Sequence, residues 1–379
     1  MSPVEVDVCV IGAGPAGLSA AVEAARLGLR TLVLDSNRMP GGQLIKQIHK
    51  FFGSAEHRAG TRGIDIAATL YREAVGLGVD VWLDSTAFSI CLPGLVQVAR
   101  DVLAAAAGQA KPRQQAIKAR AIILAVGACE NALRFPGWTL PGVMGAGAAQ
   151  TMINVERVLP GSRVVMVGAG NVGLIVSYQL KQAGATVVAV LEAAPRIGGY
   201  GVHAAKIRRA GIPIYVGYSV ARAEGSGQVE SVVAAELDAT WKPLLGTETV
   251  IDADTICIAT GLRPLTKLAV LAGCRLHYSP VLGGWLPLHN EDMLTTQPGV
   301  YVAGDLAGVE EASTAMEEGR LAGLAAAECL VPGCPDSVAA EMDAARDRLD
   351  ALRGGPHGEM RRTAKQSLIK AGGLSCRTV

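Results

Sequence analysis

Two stretches of this chain share one order of apolar, glycine-rich and acidic positions. In the first, a β-branched run at residues 6–11 precedes a G-x-G-x-x-G turn at residues 12–17, and a helical pattern leads to a second apolar run ending at Asp35. In the second, another apolar run precedes the same turn at residues 168–173, and the next run ends at Glu192. Each stretch predicts a strand, a tight turn, a helix and a second strand that ends in an acid.

The spacing of these glycines and acids is typical of a dinucleotide-binding module. The first glycine makes the strand-to-helix turn, the second lets the backbone approach a pyrophosphate, and the third lets helix and strand pack closely. The pyrophosphate lies on the free N–H groups of the helix N-terminus, and the acid accepts a hydrogen bond from a ribose hydroxyl. One such motif is weak evidence, but two with complete surroundings predict that the chain binds two dinucleotides.

The similarity between the two modules extends past the acids. Each continues with a helical region, a small antiparallel meander and a closing apolar strand that ends in glycine, Gly127 in the first and Gly261 in the second. The chain then passes through a strand ending in Gly304-Asp305, a helix over about residues 313–330 and a charged helical tail that is expected to fray at its end. The second module therefore interrupts the first.

Composition and charge narrow the range of partners. The formal net charge is +1, which gives no reason to expect a nucleic acid or an anionic membrane as a partner. No uninterrupted apolar run reaches the ~20 residues that a spanning helix needs. The first strand begins near Val6, which leaves no room for a cleavable signal, so a cytoplasmic location is expected.

The eight cysteines are scattered and form no C-x-x-C. This argues against a disulfide-cycling enzyme, because such an enzyme needs a redox-active cysteine pair. Cys329 and Cys334 lie close together in the sequence, but their spacing gives little support to a redox or metal role. No metal site is predicted.

The two glycine motifs, the sequence A-T-G-x-R-P at residues 259–264 and the Gly304-Asp305 ending resemble, as a set, the two-dinucleotide-domain flavoprotein reductases. This is the superfamily of thioredoxin reductase and glutathione reductase. The resemblance implies FAD on the first module, with Asp35 at the adenosine ribose and Asp305 bonded to the ribityl chain of the flavin. It implies NAD(H) or NADP(H) on the inserted module.

The fold predicted from this resemblance is α/β, with a doubly wound, discontinuous FAD-binding domain and an inserted NAD(P)-binding Rossmann-like domain. The predicted boundaries are 1–140 and 265–334 for the two parts of the FAD-binding domain, 141–264 for the inserted domain and 335–379 for a C-terminal helical tail.

A narrower resemblance lies in residues 135–151, 197–206 and 315–323. These stretches are similar to the A-type (α) subunits of bacterial opine oxidases, hydrogen cyanide synthase and dye-linked proline or hydroxyproline dehydrogenases. The resemblance implies a second, FAD-containing subunit that oxidises the amine. Many such α subunits carry a C-terminal cysteine-rich [2Fe–2S] region, whereas only Cys376 follows residue 334 here, and one cysteine cannot hold a cluster. Either a small [2Fe–2S] protein supplies the cluster or the electron route differs.

The residues assigned to the two sites come from the motifs and from the resemblance. Those of the first site are Gly12, Gly14, Pro15, Ala16, Gly17, Asp35, Gly42, Gln43, Gly127, Gly304 and Asp305. Those of the second site are Gly168, Gly170, Asn171, Val172, Gly173, Glu192 and Gly261.

Two assignments have alternatives. Glu192 favours NADH over NADPH, because a carboxylate accepts the 2′-hydroxyl of NAD and repels the 2′-phosphate of NADP, but Arg196 could accommodate that phosphate.

Gln43, Lys46 and His49 are candidates for a catalytic role in a loop that approaches the flavin, where cations stabilise the reduced ring. A tight turn followed by an amphipathic surface segment explains the same residues.

The functional hypothesis is electron transfer through bound FAD, as the α-type subunit of an amine or amino-acid dehydrogenase or oxidase complex of opine, sarcosine, proline or hydroxyproline type. The substrate C–H bond is then broken on the partner chain. One alternative is a stand-alone NADH-dependent flavin reductase that passes electrons to a ferredoxin or another small acceptor. Another is a subunit whose nucleotides are structural. The related α domain of heteromeric sarcosine oxidases holds NAD, so the nucleotide of the first module also stays open.

Overall fold

The computed structural model describes residues 2–355 and 358–372. The chain divides into two compact units, of which the first comprises residues 1–129 and 263–379 and the second residues 130–262. Each unit contains one of the two glycine motifs.

The elements follow one another in three stretches. The elements of the first stretch, up to residue 130, are β1 (Val4–Ile11), α1 (Pro15–Arg26), β2 (Thr31–Leu34), a 3-10 helix (Gly42–Lys46), α2 (Gly63–Gly76), β3 (Asp80–Trp82), β4 (Ser85–Cys91), β5 (Leu95–Arg100), α3 (Val102–Ala106), β6 (Arg113–Leu124) and β7 (Ala128–Glu130). Those of the second unit are β8 (Val143–Gly145), α4 (Ala146–Thr151), a π-helix (Met152–Glu156), β9 (Arg163–Val167), α5 (Asn171–Ala183), β10 (Thr186–Glu192), α6 (Gly201–Arg209), β11 (Ile214–Val216), β12 (Tyr218–Glu224), β13 (Ser231–Glu236), β14 (Thr249–Asp252) and β15 (Thr255–Ile258). After these come β16 (Leu262–Pro264), α7 (Lys267–Leu271), β17 (Leu276–Ser279), a 3-10 helix (Pro280–Leu282), β18 (Gly284–Pro287), β19 (Val300–Val302), a 3-10 helix (Gly304–Leu306), α8 (Ala312–Leu330), α9 (Asp336–Leu352) and α10 (Glu359–Gly372).

The first unit is built on a sheet with the order β3-β2-β1-β6-β5-β4, in which β19 also pairs with β6. Strand β6 has two kinds of neighbour: its N-terminal part pairs antiparallel with β5, and its C-terminal part lies parallel between β1 and β19. Val8, Cys9 and Val10 of β1 are fully buried. This continuous burial is the pattern of a parallel strand covered on both faces.

The second unit contains a parallel sheet with the order β11-β10-β9-β15-β8. Its meander forms a separate antiparallel sheet, β12-β13-β14. In both units the strand before the glycine motif lies between the strand that ends in the acid and the closing strand. The two acids and the two motifs therefore lie at the same edge of their sheets, where the strands end.

Helices α1 and α8 of the first unit pack with their backbones in contact. A Cβ atom on Gly319 would collide with the carbonyl oxygen of Ala16, and one on Gly323 with that of Ala20. Only glycine permits this approach. Since α8 follows Gly304-Asp305, the packing brings this segment to the start of α1.

Two helices form the C-terminal tail over the described residues. Helix α9 covers the predicted charged helix and α10 follows it, while the end of the tail beyond residue 372, where fraying is expected, lies outside the described residues. Helix α10 buries Leu368 fully and packs against the 3-10 helix before β18. Cys376 lies outside the described residues. Within residues 2–355 and 358–372, no helix is both long and apolar enough to cross a membrane.

Candidate functional site

The first glycine motif forms a tight turn with one open position. Gly12 has a φ of 113°, and a Cβ there would collide with the carbonyl oxygen of Ala125. A Cβ on Gly17 would likewise collide with the carbonyl oxygen of Gly12. At Gly14 the nearest atom to such a Cβ is the Cα of Gly42, at 3.9 Å. The outer glycines are thus required by the fold, while Gly14 leaves room for a ligand beside the N-terminus of α1.

Asp35 is fixed against this turn. One of its carboxylate oxygens accepts the backbone N–H of Ala13 at 2.7 Å, and the other accepts the backbone and side-chain N–H groups of Asn37, both at 2.8 Å. The residue is only 7 % exposed. The acid predicted to bind the ribose therefore lies directly beside the glycine motif, already held by backbone donors.

The Gly41-Gly42 doublet packs on the same turn. The backbone N–H of Gly41 donates to the carbonyl oxygen of Ala13 at 2.7 Å, and a Cβ on Gly42 would lie 2.8 Å from the Cα of Gly14. The 3-10 helix that starts at Gly42 places an exposed Gln43 next in the chain. The structure thus brings the predicted loop residues to the predicted turn.

The other two catalytic candidates lie further along this loop. Lys46 ends the 3-10 helix. The ring of His49 stacks on Phe51, with centroids 6.0 Å apart. A catalytic role for Gln43, Lys46 or His49 stays a prediction.

Gly304 and Asp305 lie at the start of α1, as the packing of α8 requires. A Cβ on Gly304 would lie 2.9 Å from the Cβ of Ala16, and the backbone N–H of Gly304 donates to Oε2 of Glu318 at 3.0 Å. Burial raises the pKa of Asp305 to about 7, and the carboxylates of Glu318, Glu311 and Glu310 make a smaller contribution in the same direction. A hydrogen bond from the backbone N–H of Glu310 acts in the opposite direction and lowers the pKa. Asp305 therefore changes its charge near neutral pH.

The second glycine motif repeats this geometry. A Cβ on Gly168 would collide with the carbonyl oxygen of Ala259, and one on Gly173 with that of Gly168, whereas a Cβ on Gly170 has no atom within 4 Å. The position predicted to face a pyrophosphate is open here too. Asn171 and Val172 form the first turn of α5.

Glu192 occupies the place that Asp35 has in the first module. Its Oε2 atom accepts the backbone N–H of Ala169 at 2.7 Å, and its Oε1 atom accepts that of Ala194 at 2.9 Å. Arg196 is exposed on the loop that follows. The carboxylate is thus held at the motif by two backbone donors.

The structure adds Gly199 to the second site. Its backbone N–H donates to the carbonyl oxygen of Ala169 at 2.9 Å, and the N–H of Tyr200 donates to the side-chain oxygen of Asn171 at 2.8 Å. A Cβ on Gly199 would lie 2.9 Å from the carbonyl carbon of Gly170. The loop therefore rests on the N-terminus of α5.

A signal for this residue was present in the sequence. Five residues separate Asp35 from the Gly41-Gly42 doublet, and five separate Glu192 from Gly198-Gly199. The doublet therefore belongs to the internal repeat, although only the doublet of the first module was predicted to lie at a site.

The closing-strand glycines Gly127 and Gly261 each accept a backbone hydrogen bond, and their place in the two sites stays a prediction. The carbonyl oxygen of Gly127 accepts the N–H of Leu265 at 3.0 Å, and that of Gly261 accepts the N–H of Asn131 at 3.0 Å. In the part of the chain that the structure describes, no three His, Cys, Asp or Glu side chains are grouped so that they could hold a metal ion.

Residues 6–319 match the model of the pyridine nucleotide-disulphide oxidoreductase family. Among curated proteins, the chain is 33 % identical to the A subunit of opine oxidase from Agrobacterium tumefaciens (strain Ach5), over 84 % of this chain and 65 % of that protein. It is 28 % identical to the HcnB subunit of hydrogen cyanide synthase from Pseudomonas aeruginosa, over 97 % of this chain and 82 % of that protein. The chain spans less than two thirds of the opine oxidase proteins of Agrobacterium tumefaciens (65 %) and Rhizobium meliloti (62 %).

Among solved structures, the thioredoxin reductase of T. acidophilum is similar with a TM-score of 0.67 and 21 % identity, covering 86 % of this chain and 98 % of that one. The L-proline dehydrogenase of P. horikoshii is similar with a TM-score of 0.66 and 22 % identity, covering 90 % of this chain and 59 % of that one. These likenesses confirm the predicted α/β fold with two Rossmann-like sheets. The predicted resemblances to the reductase superfamily and to the opine oxidase type of subunit are confirmed as well.

The substitution Gly199→Ala should weaken dinucleotide binding at the second module by about tenfold or more. The added Cβ would overlap the backbone at the start of α5, and overpacking of this kind costs about 1–3 kcal/mol. Calorimetric titration with ADP-ribose measures the effect. Gly198→Ala is the matched control, because a Cβ there has no atom within 4 Å. Equal affinity of the two variants would contradict the assignment of Gly199.

Proposed function

This chain belongs to the pyridine nucleotide-disulphide oxidoreductase family, and we propose that it is an FAD-dependent oxidoreductase that serves as the electron-transferring subunit of an amine- or amino-acid-oxidising complex. FAD would bind to the first module and NAD(H) to the second. A bound flavin supplies a centre that accepts and passes on electron pairs.

The observation that carries the proposal is the meeting of two distant segments in the first unit. Asp35 and the open position at Gly14 suit the adenosine and pyrophosphate of a dinucleotide. The second segment, Gly304-Asp305, lies against Ala16 at the same turn. The carboxyl group of Asp305 in this segment would accept a hydrogen bond from a hydroxyl group of the ribityl chain.

The second module supports binding of NAD(H). Gly170 leaves its turn open, and the carboxylate of Glu192 lies beside it in the register of a ribose acceptor. A carboxylate in this position attracts a 2′-hydroxyl and repels a 2′-phosphate. This supports NADH over NADPH as the nucleotide.

The role within a complex rests on the relatives. The opine oxidase A chain, HcnB and the sarcosine oxidase alpha chain are each named as one subunit of a larger enzyme. The chain also has no C-x-x-C, so it lacks the cysteine pair that a disulfide reductase of this family would use. Its partner would be a second FAD-containing chain that breaks the substrate C–H bond, with a small [2Fe–2S] protein as a further carrier. A stand-alone NADH-dependent reductase is the second candidate, which the complete second module favours.

The purified chain should therefore not oxidise amines by itself. We expect no reduction of an artificial dye by sarcosine, proline, hydroxyproline or opines, and turnover only when a second flavoprotein chain that co-purifies with it is added. Robust turnover without a partner would contradict the proposed role. Rapid bleaching of the flavin by NADH, with no chain co-purifying, would support the stand-alone reductase instead.

The second module should bind NADH at least about tenfold more tightly than NADPH, which corresponds to about 1.4 kcal/mol. Glu192→Ala should remove most of this difference, because the variant lacks both the ribose acceptor and the repelling charge. Titration of wild type and variant with each nucleotide measures it. Arg196→Ala separates the alternative: equal use of both nucleotides by the wild type, with loss of NADPH binding in this variant, would assign the selectivity to Arg196.

A further inference from the structure

The C-terminal tail of the first unit buries two cations. Helices α9 and α10 follow the stretch that matches the family, which ends at residue 319. Arg353, after α9, is 8 % exposed and Lys365, within α10, is 2 % exposed. Lysine and arginine are almost never buried to this extent unless they are paired. The groups that pair with Arg353 and Lys365 therefore show which part of the first unit the tail binds.

Both cations contact one carboxylate. The Nζ atom of Lys365 lies 2.7 Å from Oε1 of Glu318 and donates to the carbonyl oxygen of Ala307 at 2.8 Å. The Nη2 atom of Arg353 lies 2.6 Å from the same Oε1 atom, and its Nε atom lies 3.0 Å from Oε2 of Glu310. Burial opposes the ionisation of Glu318, but the two cations hold its pKa below the usual value.

A neutral histidine completes the surroundings of Lys365. The Nε2 atom of His289 lies 3.4 Å from Nζ of Lys365, and its Nδ1 atom lies 2.9 Å from the carbonyl oxygen of Pro287. Burial, together with the positive charge of Lys365, lowers the pKa of His289 to about 3. His289 therefore adds no charge to the cluster near neutral pH.

The second oxygen of Glu318 reaches the candidate flavin site. It accepts the backbone N–H of Gly304 at 3.0 Å, and Gly304 packs against Ala16 at the first glycine turn. A continuous series of contacts within the first unit thus runs from Lys365 through Glu318 to the residue that precedes Asp305.

We propose that the C-terminal tail is part of the flavin-binding machinery: Lys365 and Arg353 are positioning residues that, through Glu318, fix the backbone at Gly304 and balance the negative charge around Asp305. The proposal rests on the proposed binding of FAD to the first module. The proposal assigns a role to helices α9 and α10, which follow residue 319, where the family match ends.

The electrostatic part of this role follows from the groups that face Asp305. These are the carboxylates of Glu318, Glu311 and Glu310, and they add to the effect of burial in raising the pKa of Asp305 to about 7. The two tail cations oppose them, since they pair with Glu318 and Glu310. Because Lys365 pairs with Glu318, we expect its loss to leave more of the negative charge of Glu318 acting on Asp305 and so to raise the pKa of Asp305 further. The ionised carboxylate is the better acceptor for a ribityl hydroxyl, so FAD binding should strengthen as the pH rises through this pKa.

The test compares Lys365→Met with Lys370→Met, which removes an exposed lysine of the same helix. FAD is titrated into the flavin-free full chain by fluorescence from about pH 6 to about pH 9, a range that brackets the pKa of Asp305. For Lys365→Met we expect FAD to bind at least about tenfold more weakly at pH 7. The pH at which the affinity rises should be higher than in the wild type. Without FAD, amide exchange over residues 303–308 should be faster. Lys370→Met should behave as the wild type.

If Lys365→Met does not fold, the double variant Glu318→Gln/Lys365→Met replaces it, because it leaves no buried carboxylate at residue 318 that has lost one of its two cations. For Lys365→Met, wild-type FAD affinity with an unchanged pH profile would overturn the proposal. In the double variant the lost positive and negative charges offset each other at Asp305, so there wild-type FAD affinity with wild-type amide exchange over residues 303–308 would overturn it. A loss of thermal stability alone, with both FAD readouts unchanged, would also overturn it. If the wild type itself binds no FAD, the proposed function fails. Amide exchange over residues 303–308 then still decides whether the tail holds Gly304.

Discussion

The backbone contact between α1 and α8 holds the first site together. It joins segments about 300 residues apart in the sequence, and it depends on the missing side chains of Gly319 and Gly323, which let α8 lie against the carbonyl groups of Ala16 and Ala20. Gly304 and Asp305 reach the first glycine turn only because of this approach. The buried cluster around Glu318 then fixes the segment from the other side. Gly319 and Gly323 thus determine how closely α8 approaches α1, and the buried charges around Glu318 determine how the Gly304-Asp305 segment is oriented.

The second unit forms its candidate site within one continuous stretch of chain, residues 130–262. Its glycine turn, acid and glycine doublet repeat those of the first unit with closely similar hydrogen bonds, such as Ala13 to Asp35 and Ala169 to Glu192, both 2.7 Å. The two modules thus share the geometry that suits an adenosine and a pyrophosphate. They differ in what lies beyond it, since the first has the Gly304-Asp305 segment supplied by the returning chain. This difference is the structural basis for assigning a flavin to one and a nicotinamide nucleotide to the other.

The sequence predicted those parts that depend on local pattern. The strands, turns and acids of both modules have fixed spacing, and the continuous apolar runs of buried parallel strands are easily seen. The role of Gly199 was missed because one glycine doublet is equally well explained as a simple turn, and only its register relative to Glu192 distinguishes it. Lys365 and Arg353 could not have been predicted. Their polar surroundings in the sequence indicate a solvent-exposed helix, and their burial depends on tertiary contacts with Glu318, which is remote in the chain.

The assignment of one nucleotide to each module is tested most directly by closing each turn separately. Gly14→Val and Gly170→Val add side chains at positions where the protein leaves space, so both variants should fold. The measurement is the absorbance spectrum of each purified variant, with identification of the nucleotides that heat releases and titration with ADP-ribose. We expect that Gly14→Val loses FAD and keeps ADP-ribose binding, and that Gly170→Val does the reverse. A Gly14→Val protein with a full complement of FAD would contradict the assignment.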